Sequence, residues 1–213
     1  SVGGTIKKVN YNAFVQYRTL QGYRPNSQQW QVSGFGKLQY KPTEKLALSV
    51  EYSLLRNELK MPGGFTDSAF AANPKSSTRS RNWLKSPWNI VSANLKYTPS
   101  ENTTVDFKTM FLFSGRSLVW RNEDGGPEAL DIIDTTTNEY VPREVGIEKM
   151  QNTTSELRIS HRYQLGKQKS TIAGGLRYSY AWFNRKGGGE GTTKNDFDLQ
   201  KFYCAFGGFF LQI

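Results

Sequence analysis

The strongest structural signal in this chain is a pair of long alternating segments, residues 30–40 and 46–54. The apolar positions are Trp30, Val32, Leu38 and Tyr40 in the first segment, and Leu46, Leu48, Val50, Tyr52 and Leu54 in the second. A period of two predicts strands whose two faces meet different environments. The short segment between them makes the pair a hairpin. Each arm alternates for about ten residues, whereas soluble strands usually stop at about five or six, so the apolar face meets either a protein core or lipid.

The composition favours lipid over a protein core. Only 37% of the 213 residues are hydrophobic, yet 14% are aromatic, and the mean hydropathy is -0.61. A transmembrane β-barrel needs few aliphatic residues per strand and concentrates aromatic residues at both membrane interfaces. No apolar stretch approaches the roughly eighteen residues of a membrane-spanning helix. We therefore expect a membrane crossing by strands, with Trp30 near the outer aromatic girdle and Tyr40 near the inner one.

Strand signals and loop lengths repeat along the chain in a regular order. Further alternating segments lie at 9–17, 88–97, 104–114, 154–163 and 171–182, and a last one begins at 202, which gives about eight strands. Short turns fall near 41, 99 and 166, and long connections near 22, 72, 134 and 190. The pattern predicts an all-β, antiparallel up-and-down transmembrane β-barrel segment with short periplasmic turns and long extracellular loops. A soluble up-and-down barrel is the alternative.

The polar faces of these strands carry many charges. The chain has 28 Lys and Arg against 18 Asp and Glu. Parity places six cations where they would line a barrel lumen: Lys37, Lys96, Lys108, Arg158, Arg162 and Arg177. They form either a salt-bridged, solvated wall or a lining that tunes what passes. Because the cations are spread over turns, loops and strands, we expect no nucleic-acid partner.

Arginines near the long-loop end are candidates for binding a solute. Arg79, Arg81, Arg116 and Arg121 lie in the long connections or where strands approach them. Guanidinium groups suit carboxylate and phosphate groups, so a convergent set would hold an anionic solute. The alternative is that these side chains face water or anionic lipid headgroups.

Nothing in the sequence predicts catalysis, a metal site or a cofactor. His161 is the single histidine, and parity places it on the apolar face with Ile159 and Tyr163. The single Cys204 excludes an internal disulfide and, without further ligands, a soft metal site. The glycines at 187–191 lack the Gly-Lys-Ser or Gly-Lys-Thr ending of a phosphate-binding loop. We expect a protein that is not an enzyme.

Several stretches resemble the barrel of TonB-dependent outer-membrane receptors, most of all the ferric-citrate-type branch common in Bacteroidetes. These stretches are Gly-Tyr-Arg-Pro-Asn-Ser at 22–27, the turn with Glu-Lys-Leu at 44–46, Met-Pro-Gly-Gly-Phe-Thr-Asp-Ser-Ala-Phe at 61–70, and Arg-Ser-Arg-Asn-Trp-Leu-Lys-Ser-Pro-Trp-Asn at 79–89. The likeness covers roughly residues 4–200. It implies a 22-stranded barrel closed by an N-terminal plug, with uptake of a scarce iron chelate driven by contact with TonB.

The chain departs from that family pattern in having no TonB box, no plug and only about eight predicted strands. We therefore expect residues 1–213 to be part of a receptor barrel domain in the outer membrane of a Gram-negative bacterium. The expected partners are outer-membrane lipid and an anionic iron chelate, with TonB reached only through the missing plug region. Two alternatives remain: a passive outer-membrane channel or small structural barrel, and a soluble β-domain that binds carbohydrate or nucleic acid.

Overall fold

The computed structural model describes residues 1–121, 129–141 and 143–188, and the backbone of a last strand. Its elements in chain order are β1 (Val2–Ile6), β2 (Val9–Leu20), β3 (Gln29–Thr43), β4 (Leu46–Lys60), α1 (Asp67–Ala72), β5 (Trp83–Lys85), β6 (Trp88–Ser100), β7 (Thr103–Trp120), β8 (Glu144–Leu165), β9 (Gln168–Gly188) and β10 (Tyr203–Gln212). Strands therefore make up most of the described part of the chain.

The strands form one antiparallel sheet in which neighbours in sequence are neighbours in space. The order is β1-β2-β3-β4, then β5 and β6, then β7-β8-β9-β10. Because β5 and β6 both lie between β4 and β7, ten strands occupy nine positions. The predicted antiparallel, up-and-down architecture is confirmed. The predicted eight strands omitted β1 and β5, which are too short to show a clear alternation.

β5 and β6 are two parts of one strand, interrupted at Pro87. Leu84 pairs with Leu59 and Trp88 with Leu55, so the register against β4 continues across the break. Proline has no N–H to donate to the ladder. Its carbonyl still accepts a hydrogen bond from the N–H of Gly115 at 3.2 Å, which keeps the interrupted strand attached to β7.

The register divides the sheet into an apolar face and a polar face. The apolar face carries the odd positions of β2, β6, β7 and β8 and the even positions of β3, β4 and β9. Its central part, here called the apolar band, comprises the apolar-face positions in 9–17, 32–40, 46–54, 89–97, 105–113, 151–159 and 174–182. None of these positions is charged. The alternation predicted from the sequence is therefore present on seven adjoining strands.

The part of the chain that the structure describes does not cover the apolar band. Val15 is 76% exposed, Leu38 58% and Val50 52%. Among the described residues, the only buried hydrophobic side chains are Trp83, Val119 and Val145, which lie above the band. An apolar surface of this extent is not left in water by a monomeric soluble protein. The band instead has the character of a barrel wall that faces lipid.

The two ends of the sheet differ, as predicted. At one end, the turns are centred at 7–8, 44–45, 101–102 and 166–167; at the other, the described connections span 21–28 and 61–82 and the two sides of the loop at 121–143. The long connection predicted near 134 is limited to residues 121–143, because β7 extends to Trp120 and β8 begins at Glu144. Beyond the apolar band each strand face mixes polar and apolar residues, so the sequence alternation that marks a strand is lost there.

The long connections contain little regular structure. In α1, the Thr66 hydroxyl accepts a hydrogen bond from the N–H of Ala69 at 3.2 Å and caps the first turn. This helix has only six residues. In the described part of the chain, no helix is long and apolar enough to span a bilayer. The Gly-rich segment beyond 188 lies outside the described residues, apart from the backbone of β10.

Candidate functional site: the polar face and the loop-end cluster

The polar face carries an excess of positive charge. All six cations predicted to line a lumen lie on this face. Among positions paired by register, its cations are Arg18, Lys37, Lys96, Lys108, Arg116, Arg158, Arg162, Lys169, Arg177 and Arg185, and its anions are Glu51, Asp106, Glu144, Glu148 and Glu156. The face thus has ten cations and five anions. Its field favours the approach of an anionic solute.

Part of this charge is neutralised between neighbouring strands. Lys37 on β3 contacts Glu51 on β4 at 2.7 Å, at directly opposed register positions. Arg158 contacts Glu156 along β8. Such exposed pairs contribute little to stability, but they lower the charge that a solute meets. These two ion pairs are of the kind expected for a salt-bridged, solvated wall.

Other cations on the same face have no carboxylate in direct contact among the described residues. Among the described residues, Lys96, Lys108 and Arg177 form no ion pair within the contact distance, although Asp106 and Glu156 lie opposite them in register. All three side chains are exposed. They are therefore available to a solute on this face.

Arg116 belongs to the polar face and not to the loop cluster. Its guanidinium contacts the carboxylate of Glu148 at 2.6 Å, and Arg185 approaches the same carboxylate at 3.6 Å. The register explains the trio, because these three residues are opposed across β7, β8 and β9. Arg185 and Glu148 were not singled out from the sequence, because the strands that carry them extend beyond the apolar alternation.

Arg79 and Arg121 do converge, as their predicted positions near one end suggested. Both are buried, at 3% and 4% exposure. Arg79 donates to the carbonyl of Ala129 at 2.7 Å, and Arg121 donates to the same carbonyl at 3.1 Å and to that of Leu130. The Arg79 guanidinium thus ties the loop over 61–82 to the loop over 121–143, and the Arg121 guanidinium joins two parts of the second loop. That they bind a solute stays a prediction.

The loops are joined at further points by polar groups. Ser80 donates from its backbone N–H and from its hydroxyl to the carboxylate of Asp131, at 3.4 and 3.2 Å. The N–H of Arg121 donates to Asn82 Oδ1 at 2.9 Å. Asn82 is fully buried and Asp131 is 5% exposed. Sequence reasoning missed both residues, because nothing local to a loop shows which of its polar side chains become buried.

Arg81 lies at the outer side of this cluster. Its guanidinium stacks over the ring of Tyr140 at 3.9 Å from the centroid, and Arg143 lies over the same ring at 5.4 Å. Arg81 is half-buried and Arg143 is buried. Cation–π stacking fixes the direction of each guanidinium plane. The structure therefore brings Arg79, Arg81 and Arg121 to one pair of loops and leaves Arg116 on the sheet.

The loop over 21–28 joins the same end through Arg24. This side chain donates to the carbonyls of Ser76 and Gly63 at 2.8 and 2.9 Å and stacks on Phe65 at 3.7 Å. Burial lowers the pKa of Arg24, but an arginine in a protein stays charged. Arg24, in the Gly-Tyr-Arg-Pro-Asn-Ser stretch, thus holds the loop over 21–28 against the loop over 61–82.

Comparisons with known proteins bear on the fold. No protein-family model matches the chain, and no curated protein matches its sequence. Among solved structures, the ferric citrate transporter FecA in its unliganded form is similar with a TM-score of 0.68 and 16% identity, over 88% of this chain. The siderophore receptor PiuA from Acinetobacter baumannii is similar with a TM-score of 0.64 and 15% identity, over 96% of this chain.

The similar region is only part of each of those structures. The chain spans 26% of the FecA chain and 34% of the PiuA chain. At such low identity the likeness shows the fold alone. In fold, the chain thus resembles part of the β-barrel of each of these two proteins.

Proposed function

We propose that this chain forms part of the wall and outer loops of a TonB-dependent outer-membrane receptor for a ferric chelate of the citrate or siderophore type. The observation that carries the proposal is the polar face with ten cations and five anions, backed by an apolar band that the described residues leave exposed. FecA is a ferric citrate transporter and PiuA is a siderophore receptor. The excess of positive charge on the polar face suits ferric citrate, which is anionic.

The barrel of such a receptor needs more strands than this chain supplies. In the described sheet, β1 and β10 each pair with one neighbour only. Unpaired backbone groups are not tolerated at the lipid-facing edge of a membrane sheet. We therefore propose that further strands of the same protein close the barrel, and that TonB acts on an N-terminal plug region outside residues 1–213.

The structure suggests different roles for the candidate residues. Lys96, Lys108 and Arg177 are exposed on the polar face and Arg116 lies towards its loop end, so we assign them to the solute pathway. Arg79 and Arg121 are buried between the loops and are assigned a positioning role. Arg81 is half-buried, so we place it between the solute-pathway residues and the positioning residues.

Uptake by cells tests this function. A strain that lacks the gene is complemented with the wild-type gene and supplied with radiolabelled ferric citrate or ferric siderophore. We expect accumulation of iron that stops when a protonophore removes the proton gradient. Uptake that continues without the gradient would overturn energy coupling in favour of a passive channel, and no gene-dependent uptake of any chelate would overturn the substrate class.

A charge variant tests the polar face itself. We expect the Lys96→Gln, Lys108→Gln double variant to take up an anionic chelate about tenfold more slowly, because two cations on the solute pathway are neutralised. The matched control is Lys7→Gln with Lys167→Gln, which removes the same charge from two turns at the other end of the sheet. Equal uptake by both double variants would contradict the proposed pathway.

A further inference from the structure

The apolar face ends abruptly in a row of cations at the loop end. Directly above the apolar band, the charged residues on this face are the cations Arg56, Lys60, Lys85, Lys149 and Lys186 and the single anion Glu58. We call these five cations the basic rim. They lie on the face that meets lipid, opposite the polar face to which the solute pathway is assigned.

A groove of about 600 Å³ lies in the basic rim. Arg56 on β4 and Lys149 on β8 occupy the same register row, and between them in that row lie Pro87 and Gly115. Because these two residues have small side chains or none, the row is hollow between its two cations. With strands about 4.8 Å apart, the backbone positions of Arg56 and Lys149 are separated by roughly 14 Å.

The lining of the groove combines cations with aromatic side chains. Phe113 lies one register row below Arg56 and Lys149, and Trp30 and Lys85 lie one row above them. Among the described residues that line it, the single carboxylate is Glu148, whose register position is on the polar face, where Arg116 engages it at 2.6 Å. The groove thus offers positive charge next to apolar surface. Lipid headgroups present the complementary pair, a phosphate joined to acyl chains.

Two of the cations that line the groove, Arg56 and Lys149, form no ion pair among the described residues. Arg56 donates to Asn89 Oδ1 at 3.1 Å, and the Tyr52 hydroxyl donates to the same oxygen at 3.0 Å. This neutral acceptor orients the guanidinium and leaves its charge. Among the described residues Lys149 makes no ion pair, and its side chain is exposed. Lys85 shares Glu58 with Lys60, at 3.1 and 3.3 Å.

We propose that this groove binds the phosphate-bearing headgroup of an anionic lipid in the leaflet at the loop end of the sheet. Arg56 and Lys149 contact the phosphate, Phe113 contacts the first methylene groups of the acyl chains, and Trp30 packs against the headgroup from the loop side. The proposal rests on the proposed function to the extent that the sheet is part of a membrane barrel. It does not depend on which solute the protein carries, or on TonB.

Lipid binding to the intact protein in a neutral detergent tests the proposal. The probe is a short-chain phosphatidylglycerol, compared with phosphatidylcholine, and native mass spectrometry counts the bound lipids. For the Arg56→Gln, Lys149→Gln double variant we expect the affinity for phosphatidylglycerol to fall at least tenfold, because each cation near an anionic lipid surface contributes roughly fivefold. Phosphatidylcholine retention is expected to be unchanged.

The control carries the same charge change on the other face of the sheet. Lys96→Gln with Lys108→Gln removes two cations from the polar face and is expected to retain phosphatidylglycerol like the wild type. Equal losses in the two double variants, or displacement of the lipid by millimolar inorganic phosphate, would overturn the proposal in favour of general charge attraction or a soluble anion. A protein that enters no lipid vesicle would overturn the membrane barrel as well.

Discussion

At the scale of single residues, the arginines near the loop end differ in what their guanidinium groups contact. Arg79 and Arg121 are buried and donate to one backbone carbonyl, that of Ala129. Arg116 is partly exposed and pairs with Glu148. A sequence pattern treats these arginines alike. Their surroundings divide them into residues that hold loops together and a residue that faces the space over the polar face.

We expect Arg79→Ala to loosen the loop over 121–143, since it removes a charged hydrogen bond that contributes about 1.5–3 kcal/mol. Hydrogen exchange at residues 129–131 measures the effect, which should be a rate increase of about tenfold or more. Arg116→Ala should leave exchange in this loop at the wild-type rate but lower chelate affinity. Unaltered exchange in the Arg79 variant would show that its contact to Ala129 does not hold the loop.

At the scale of the strand, close packing of backbones limits which residues the sheet accepts. A Cβ atom added to Gly115 on β7 would lie 2.7 Å from the carbonyl oxygen of Glu148 on β8, whereas one added to Gly146 would meet nothing within 4 Å. Both glycines are buried in the sheet. The sequence shows only that both are glycines within strands, and the pairing of β7 with β8 distinguishes them.

Gly115→Ala should therefore destabilise the folded protein by about 1–3 kcal/mol, because the clash is with backbone, which cannot rotate away. Gly146→Ala, the matched control, should cost less than 1 kcal/mol. Urea unfolding in lipid vesicles, followed by tryptophan fluorescence, measures both variants. If the two alanines have equal effects, the close approach of β7 and β8 at Gly115 is not present in solution.

At the scale of the whole molecule, the sheet has almost no hydrophobic interior of its own. Trp83, Val119 and Val145 are the only buried hydrophobic residues among those described, whereas the apolar band spans seven strands. The stability of such a sheet depends on the solvent that meets the band. In a bilayer, acyl chains would cover the band, whereas in water it would remain an exposed apolar surface.

A charged residue introduced in the middle of the band should change stability differently in water and in a bilayer. Val50 is 52% exposed, so Val50→Lys in a soluble protein should change stability by less than about 0.5 kcal/mol. In a bilayer the same change should cost about 2–4 kcal/mol. The neighbouring Ser49→Lys, on the polar face, is the control and should be close to neutral. Unfolding in vesicles gives both values, and a neutral Val50→Lys would contradict the lipid-facing band.

The sequence alone determined the antiparallel strands, their two unlike faces and the opposite ends for turns and loops. These follow from a period of two and from loop lengths, which are local properties. The six predicted polar-face cations share a face for the same reason. Tertiary structure decided what local pattern does not contain: that β7, β8 and β9 continue past the apolar band, that Pro87 interrupts a single strand, and that Arg79 and Arg121 meet at Ala129. The physical reason is that burial and hydrogen bonding of a polar side chain depend on contacts between residues distant in sequence, such as the 50 residues between Arg79 and Ala129.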